Sequence, residues 1–266
     1  MGSRDLEDPA KVEELTVLVT GFGAFGNNGI NPSHLIANSL PSSFTADDIP
    51  NIKIVQASPI PVHYRTVRDV VPRLLFPQPP GKVAMTRSYP PSIPTSLFQD
   101  LPHADSAAED KPRFDFVLHI GMAAPREYFT METCAHRDRY LGKDEAGETM
   151  EADTLWRDEY KAPEILRPGF DAEDVWKRWK SDLMGVDVRP SSDAGRYLCD
   201  FIYYTSLVEY WRKDSKAMAP VMFLHVPGSS GDYDIEMGRK VALGLIGAMV
   251  ASTSARRTEG LEHFAQ

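Results

Sequence analysis

Cys199 is the residue in this sequence best placed to act as a nucleophile. It lies in Ser191-Ser192-Asp193-Ala194-Gly195-Arg196-Tyr197-Leu198-Cys199-Asp200, after a β-branched run at 186–189 and near the start of a helical pattern over 193–211. A helix start carries the positive end of the macrodipole and free backbone N–H groups, which favour a thiolate and can stabilise an oxyanion. Taken alone, the cysteine reads equally as a small buried hydrophobe. His225 closes an apolar run, Val221-Met222-Phe223-Leu224-His225-Val226-Pro227. A strand-end histidine is either a satisfied core group or, on the C-terminal rim of a parallel sheet, a ligand-facing one. If all the strands are parallel, Cys199 and His225 converge on that rim. A thiol–imidazole pair needs a third group to orient the ring. Glu132, in Thr130-Met131-Glu132-Thr133-Cys134, follows another strand on the same side; its plain reading is an exposed glutamate.

A second constellation is Thr20-Gly21-Phe22-Gly23-Ala24-Phe25-Gly26, directly after a strand. Its glycines match G-x-G-x-x-G, the dinucleotide-binding fingerprint. In that fingerprint the helix begins within the glycines, so that its N-terminus meets the pyrophosphate. Here Asn27-Asn28-Gly29-Ile30 intervene, and Asn31-Pro32 supply an N-cap and a first-turn proline only afterwards. The second strand also ends without an acid to hold a ribose. An oxidoreductase binding NAD(P) through the 21–26 turn is therefore the alternative reading, and no cofactor is expected. Phe22 and Phe25 look exposed in this turn and would wall a small apolar pocket. Cys134 and His136 have ligand-type side chains, but no second pair stands at zinc spacing, so no metal is expected.

Five short β-branched runs, at 15–20, 52–57, 114–120, 186–189 and 221–226, read as strands. Most are continuously apolar, as strands covered on both faces should be. Between them lie helical spacings from Asn31-Pro32 onward and at 62–75, 171–183, 193–211 and 234–250. Strands alternating with helices predict an α/β fold, a three-layer α/β/α arrangement around a mostly parallel central sheet. The stretch 76–112 breaks the pattern with eight of the 21 prolines, and reads as a surface insertion in a single domain spanning 1–266. A second, charged loop at 138–166 is expected to be mobile.

Composition narrows the partners. The 29 basic against 38 acidic side chains leave a net charge of −9, which disfavours nucleic acid and anionic membranes. The most apolar late stretch, 241–252, is too short to span a bilayer, and the polar N-terminus does not read as a signal peptide. Two cysteines cannot build a disulfide framework. A cytoplasmic protein is expected; its oligomeric state is not legible.

Several blocks taken in order resemble the pyroglutamyl peptidase I (pyrrolidone-carboxylate peptidase) family of cysteine peptidases. The 20–26 turn with Asn31-Pro32-Ser33 resembles its N-terminal signature, and Ile60-Pro61-Val62-His63-Tyr64 its next block. His119-Ile120-Gly121 followed by Glu132 is similar to the block with its catalytic glutamate. Asp193–Phe201 with Tyr203-Tyr204-Thr205-Ser206-Leu207 is similar to its nucleophile block, and Leu224-His225-Val226-Pro227 resembles its histidine block. The resemblance implies hydrolysis of the amide bond after an N-terminal pyroglutamate in peptides. Cys199 would attack, His225 would serve as base and then acid, and Glu132 would orient the histidine. Phe22, Phe25 and Tyr197 would line the lactam pocket. A homologue that binds pyroglutamyl peptides without cleaving them is the further alternative. Met122-Ala123-Ala124-Pro125-Arg126 departs from what relatives carry after the glycine, and 76–112 has no counterpart in compact members.

Overall fold

The computed structural model describes residues 14–26, 29–45, 49–57, 59–76, 112–151, 154–215 and 218–264. Apart from Phe76 and Pro112, the proline-rich stretch lies outside the described residues. In chain order the main elements are β1 (Leu15–Gly21), α1 (Pro32–Ser39), β2 (Ser43–Phe44), β3 (Ile52–Gln56), α2 (Tyr64–Leu75), β4 (Phe116–Met122), β5 (Phe129–Glu132), β6 (Ala135–His136), β7 (Ile165–Leu166), α3 (Ala172–Asp182), β8 (Val188–Ser191), α4 (Leu198–Lys213), β9 (Val221–Val226) and α5 (Asp232–Phe264). A seven-stranded sheet runs β2-β3-β1-β4-β9-β5-β8. Its centre, β3-β1-β4-β9, is parallel throughout.

Two apolar clusters lie on opposite faces of the sheet. One joins α2 and α4 to Leu18, Val117, Val221 and Phe223. The other joins α1, α3 and α5 to Val17, Val19, Leu118 and Leu224. Alternate residues of each strand thus feed different layers, which is why the central strands read as unbroken apolar runs. The result is the three-layer α/β/α arrangement expected.

Strand direction departs from expectation. β5 pairs antiparallel with β9, and β8 follows β5 in parallel, so both oppose the parallel centre. β5 was not visible as a strand because Phe129–Glu132 is four residues long and ends in a glutamate. Cys199 and Glu132 therefore do not reach the site as parallel strand ends. α4 also begins later than its apolar pattern, because Gly195 takes a positive φ of 81° and Asp193 accepts its N–H at 3.0 Å; that turn delays the helix.

The charged loop at 138–166 is tied down, contrary to expectation. Tyr140, Asp144, Trp156 and Ala162 are buried in it. Asp144 Oδ2 accepts the N–H of Tyr64 at 2.9 Å, capping α2 from a distance, since His63 at the N-cap makes no side-chain capping hydrogen bond. Its charges are loop-like, but its aromatics belong to the core around α4.

Candidate active site

α4 carries Cys199 as its second residue. The helix is buried on nearly all sides from Leu198 to Tyr210, between the sheet, α2 and the tied loop, and its position is fixed by polar handles. Tyr203 Oη donates to the carbonyl of Glu132 at 3.0 Å, and Tyr204 Oη to that of Pro163 at 2.6 Å. Ser206 Oγ lies 2.7 Å from His119 Nε2, while His119 Nδ1 meets Thr20 Oγ1 at 2.7 Å. This buried chain links helix to sheet.

Gly121 brings the thiol to the histidine. It stands in register with His225 on the neighbouring strand. A Cβ on Gly121 would lie 2.7 Å from Cys199 Sγ and 2.6 Å from Phe223 Cζ. The sulfur thus rests on the bare backbone beside His225, in space that any larger residue would fill. The Phe223 and His225 ring centroids are 4.8 Å apart, on the same face of β9.

Glu132 is 0 % exposed, not the surface glutamate of its plain reading. Its Oε1 accepts from His225 Nδ1 at 2.8 Å, so the ring carries its proton on Nδ1 and presents Nε2 as a base. The antiparallel register makes this possible: Thr130 faces His225 and Glu132 faces Phe223, so the carboxylate reaches the ring from beneath. Burial raises the carboxyl pKa, but the hydrogen bond and charge of His225 outweigh it, helped by Ser191 and Arg126, and hold it below the ordinary glutamate value.

Arg126 belongs to this group, although the sequence showed it only as part of a divergent stretch. Its guanidinium donates to Thr130 Oγ1 at 2.6 Å and to Glu132 Oε1 at 3.0 Å; Thr130 Oγ1 also donates to Glu132 Oε1 at 3.0 Å. The spacing Thr130-x-Glu132 on a strand was the available signal, since residues two apart share a face. No such periodicity points to Arg126.

The thiol differs from expectation. Burial, with the negative charges of Glu132 and Asp200, pushes Cys199 up to about 12, against a smaller lowering by Arg126. Desolvation outweighs the helix start, so the resting group is a thiol. Tyr197, the N-cap residue, makes no side-chain cap hydrogen bond to this helix start, and backbone N–H groups at a helix start suit an oxyanion.

The expected ring pocket is uneven. Phe22 is only 4 % exposed, bridging to Ile60, so it is core rather than an exposed wall. Phe25 is partly exposed and its centroid lies 6.4 Å from that of Tyr197; Tyr197 also meets Tyr64 edge-on at 6.0 Å. Tyr197 Oη donates to Lys143 O at 3.0 Å, and the Gly26 N–H donates to Glu145 Oε1 at 2.9 Å. The tied loop thereby braces both aromatic groups.

The glycine turn is spent on packing. A Cβ on Gly21 would lie 2.4 Å from the Ser33 carbonyl oxygen. Phe22 N donates to Ser33 Oγ at 3.0 Å, and the α1 N-terminus is closed by Asn31, whose Oδ1 accepts from Ser33 N at 3.1 Å. A pyrophosphate would have to displace these partners. Cys134 and His136 serve separate neighbours: Cys134 Sγ donates to Ser192 O at 3.2 Å, while His136 faces Asp200.

The model of the pyroglutamyl peptidase family matches residues 15–91. Human pyroglutamyl-peptidase 1 is 28 % identical over 235 residues, covering 88 % of this chain and 88 % of that protein. The pyrrolidone-carboxylate peptidase of Lacticaseibacillus paracasei is 28 % identical over 214 residues, covering 80 % and 78 %. A mutant pyrrolidone carboxyl peptidase from Pyrococcus furiosus superposes with a TM-score of 0.62 at 20 % identity, over 89 % of this chain and 99 % of that one. That last likeness is one of fold.

Proposed function

This chain belongs to the pyroglutamyl peptidase family, and we propose that it is a cysteine peptidase cleaving the amide bond after an N-terminal pyroglutamyl residue. The observation that carries this reading is Cys199 Sγ seated on Gly121 beside His225, with His225 Nδ1 bonded to a buried carboxylate. A nucleophile, a base and an orienting acid on one side of one sheet fit acyl transfer.

In this mechanism the Cys199 proton passes to His225 Nε2 as sulfur adds to the pyroglutamyl α-carbonyl carbon. The carbonyl oxygen gains the negative charge, and the first-turn amides of α4 hold it. The tetrahedral species collapses, the C–N bond breaks, and His225 returns the proton to the departing amine. Water then attacks the thioester, giving a proton to His225; release of pyroglutamate returns it to sulfur. Glu132 keeps Nδ1 protonated and stabilises the imidazolium between these steps, and Arg126 holds the carboxylate.

The lactam is small, flat and uncharged. Phe25 and Tyr197 suit its faces, with backbone groups to read its N–H and C=O; Phe22 supports the turn from below. Among the described residues no helix is long and apolar enough to cross a membrane. A catalytic thiol works best where it stays reduced, and on that ground we place the enzyme in the cytoplasm.

The test is fluorophore release from a pyroglutamyl-coumarin amide, with prolyl and free-amine glutamyl amides alongside. Turnover of the first with strong preference over both supports the reading. No release, with tight pyroglutamyl-peptide binding, points to the non-cleaving homologue.

A further inference from the structure

Glu145 is not one of the groups that carry the chemistry, yet its carboxylate reaches the Gly26 amide from 119 residues away in the chain. The turn that presents it is built on a buried acid. Asp144 is 5 % exposed; besides the Tyr64 N–H on Oδ2, its Oδ1 accepts the N–H groups of Ala146 and Glu148, each at 2.9 Å. The Glu148 carbonyl takes the Asp144 N–H at 2.8 Å, and the Asp144 carbonyl takes that of Gly147 at 2.9 Å. Gly147 has a positive φ of 77°, which glycine adopts without strain. Three amides on one carboxylate hold 144–148 in a single conformation. The turn is also tied to the start of α2: the Glu145 N–H donates to the Val62 carbonyl at 3.2 Å, and Glu148 pairs with Arg65 at 2.6 Å.

We propose that Glu145 is a positioning residue for ring selection: from this turn its carboxylate holds the peptide unit between Phe25 and Gly26, and so sets Phe25 against Tyr197 on the wall of the lactam pocket. This rests on the reading of that pocket as the pyroglutamyl site. The Gly26 N–H donates to Glu145 Oε1 at 2.9 Å. Gly26 has a positive φ of 57°, and among the described residues nothing lies within 4 Å of where its Cβ would stand. Packing around this glycine therefore does not choose its conformation. Glycine allows many, and a charge-assisted hydrogen bond selects one.

The same loop sets the neighbouring ring. Tyr197 Oη donates to the Lys143 carbonyl at 3.0 Å, and a Cβ on Gly142 would lie 3.1 Å from Tyr197 Cδ2, so the ring rests on bare loop backbone. Tyr64, which meets Tyr197 edge-on, donates its own hydroxyl to the Gly142 carbonyl at 3.1 Å. Residues 142–145 thus bind to both Tyr197 and the Phe25–Gly26 unit, whose two rings stand 6.4 Å apart at 44°. A flat lactam is chosen by the place and tilt of the rings it packs on. The competing explanation is a staple that only ties the loop down. A staple moves melting temperature and affects every substrate alike.

The experiment measures kcat and KM on pyroglutamyl- and prolyl-coumarin amides, with melting temperatures, for the wild-type full chain, Glu145→Ala and Glu145→Gln. Glu145 is exposed, so neither change carries much folding risk. Glu145→Ala should raise KM for the pyroglutamyl amide about three- to tenfold, with a smaller effect on kcat, and lower the preference over the prolyl amide. Glu145→Gln keeps an oxygen that can accept from Gly26 and should recover most of that preference. A folded Glu145→Ala with unchanged preference overturns the proposal, as do equal losses on both amides or in both variants. Any of these results beside wild-type pyroglutamyl turnover removes this inference and leaves the proposed activity. If the wild type cleaves neither amide, calorimetric binding of a pyroglutamyl peptide reads the same variants. Weaker binding by Glu145→Ala than by the other two then keeps the inference and removes the cleavage. Equal binding by all three removes the inference, and no binding by the wild type removes both.

Discussion

A thiol held protonated by its surroundings needs a base at the moment of attack, so His225 and Glu132 should fail by different amounts. His225→Ala removes the proton acceptor proposed for Cys199 and should leave activity near background. Glu132→Gln keeps a hydrogen-bonding side chain under the ring but removes its charge, and should lower kcat/KM on the order of 10–1,000-fold. Full activity in Glu132→Gln means that the carboxylate is a bystander. The two phenylalanines separate in the same way. Phe25→Ala should weaken selection of the pyroglutamyl ring by about 1–3 kcal/mol, read as kcat/KM against a prolyl amide. Phe22→Ala should instead cost about 3–5 kcal/mol of stability, because that ring is core. Equal effects on selectivity would restore the symmetric pocket that the sequence suggested. At this scale Cys199, His225 and Glu132 stood out as the proposed group from residue type and chain order, and from resemblance. Arg126 did not, because its contact with Glu132 depends on a turn that carries no periodic signal.

Elements set the directions that residues cannot. The buried chain Thr20–His119–Ser206 fixes α4 against the sheet, and burial lowers His119 from 6.5 to about 3. The ring stays neutral in the fold, donating through one nitrogen and accepting through the other. The unfolded chain takes up this proton as pH falls below about 6.5. Stability from this site is thus complete above that value and is lost as pH falls toward the folded value, on the order of 3 kcal/mol by about pH 4. Urea unfolding at neutral and acid pH should show this loss, and His119→Gln should show less of it. An identical acid slope in both proteins contradicts the assignment. The alternation of strands and helices was legible because the central strands are doubly covered. The reversal of β5 and β8 was not: strand direction depends on connections across the sheet, and the apolar pattern of a strand is the same read either way. The ties of the 138–166 loop were hidden for a related reason. Asp144 caps α2 and Glu145 holds the Gly26 amide only through contacts distant in sequence.

The whole molecule carries the site on the parallel centre of the sheet, with α4 buried against it. The proline-rich stretch leaves and re-enters at one place: the Arg113 N–H donates to the Leu75 carbonyl at 2.8 Å, and Phe76 is buried beside this junction. A short connection can therefore join the two ends, and closing a loop costs little that depends on its length. Replacing 77–111 by a short Gly/Ser linker should give a folded protein with near-normal turnover of a small amide. Loss of folding would show that the removed segment packs as a structural part of the domain.

The central claim is that Cys199 attacks a pyroglutamyl amide, and the most direct measurement is fluorophore release from pyroglutamyl-coumarin amide by the wild-type chain and by Cys199→Ser. The serine differs by one atom and fits the space that the sulfur occupies against Gly121, so the two proteins should melt close together. Oxygen is a far poorer nucleophile than sulfur next to a base tuned for a thiol. The expected result is steady release by the wild type and none above background by the variant. Comparable release by both, or none by a folded wild-type protein, would contradict the account.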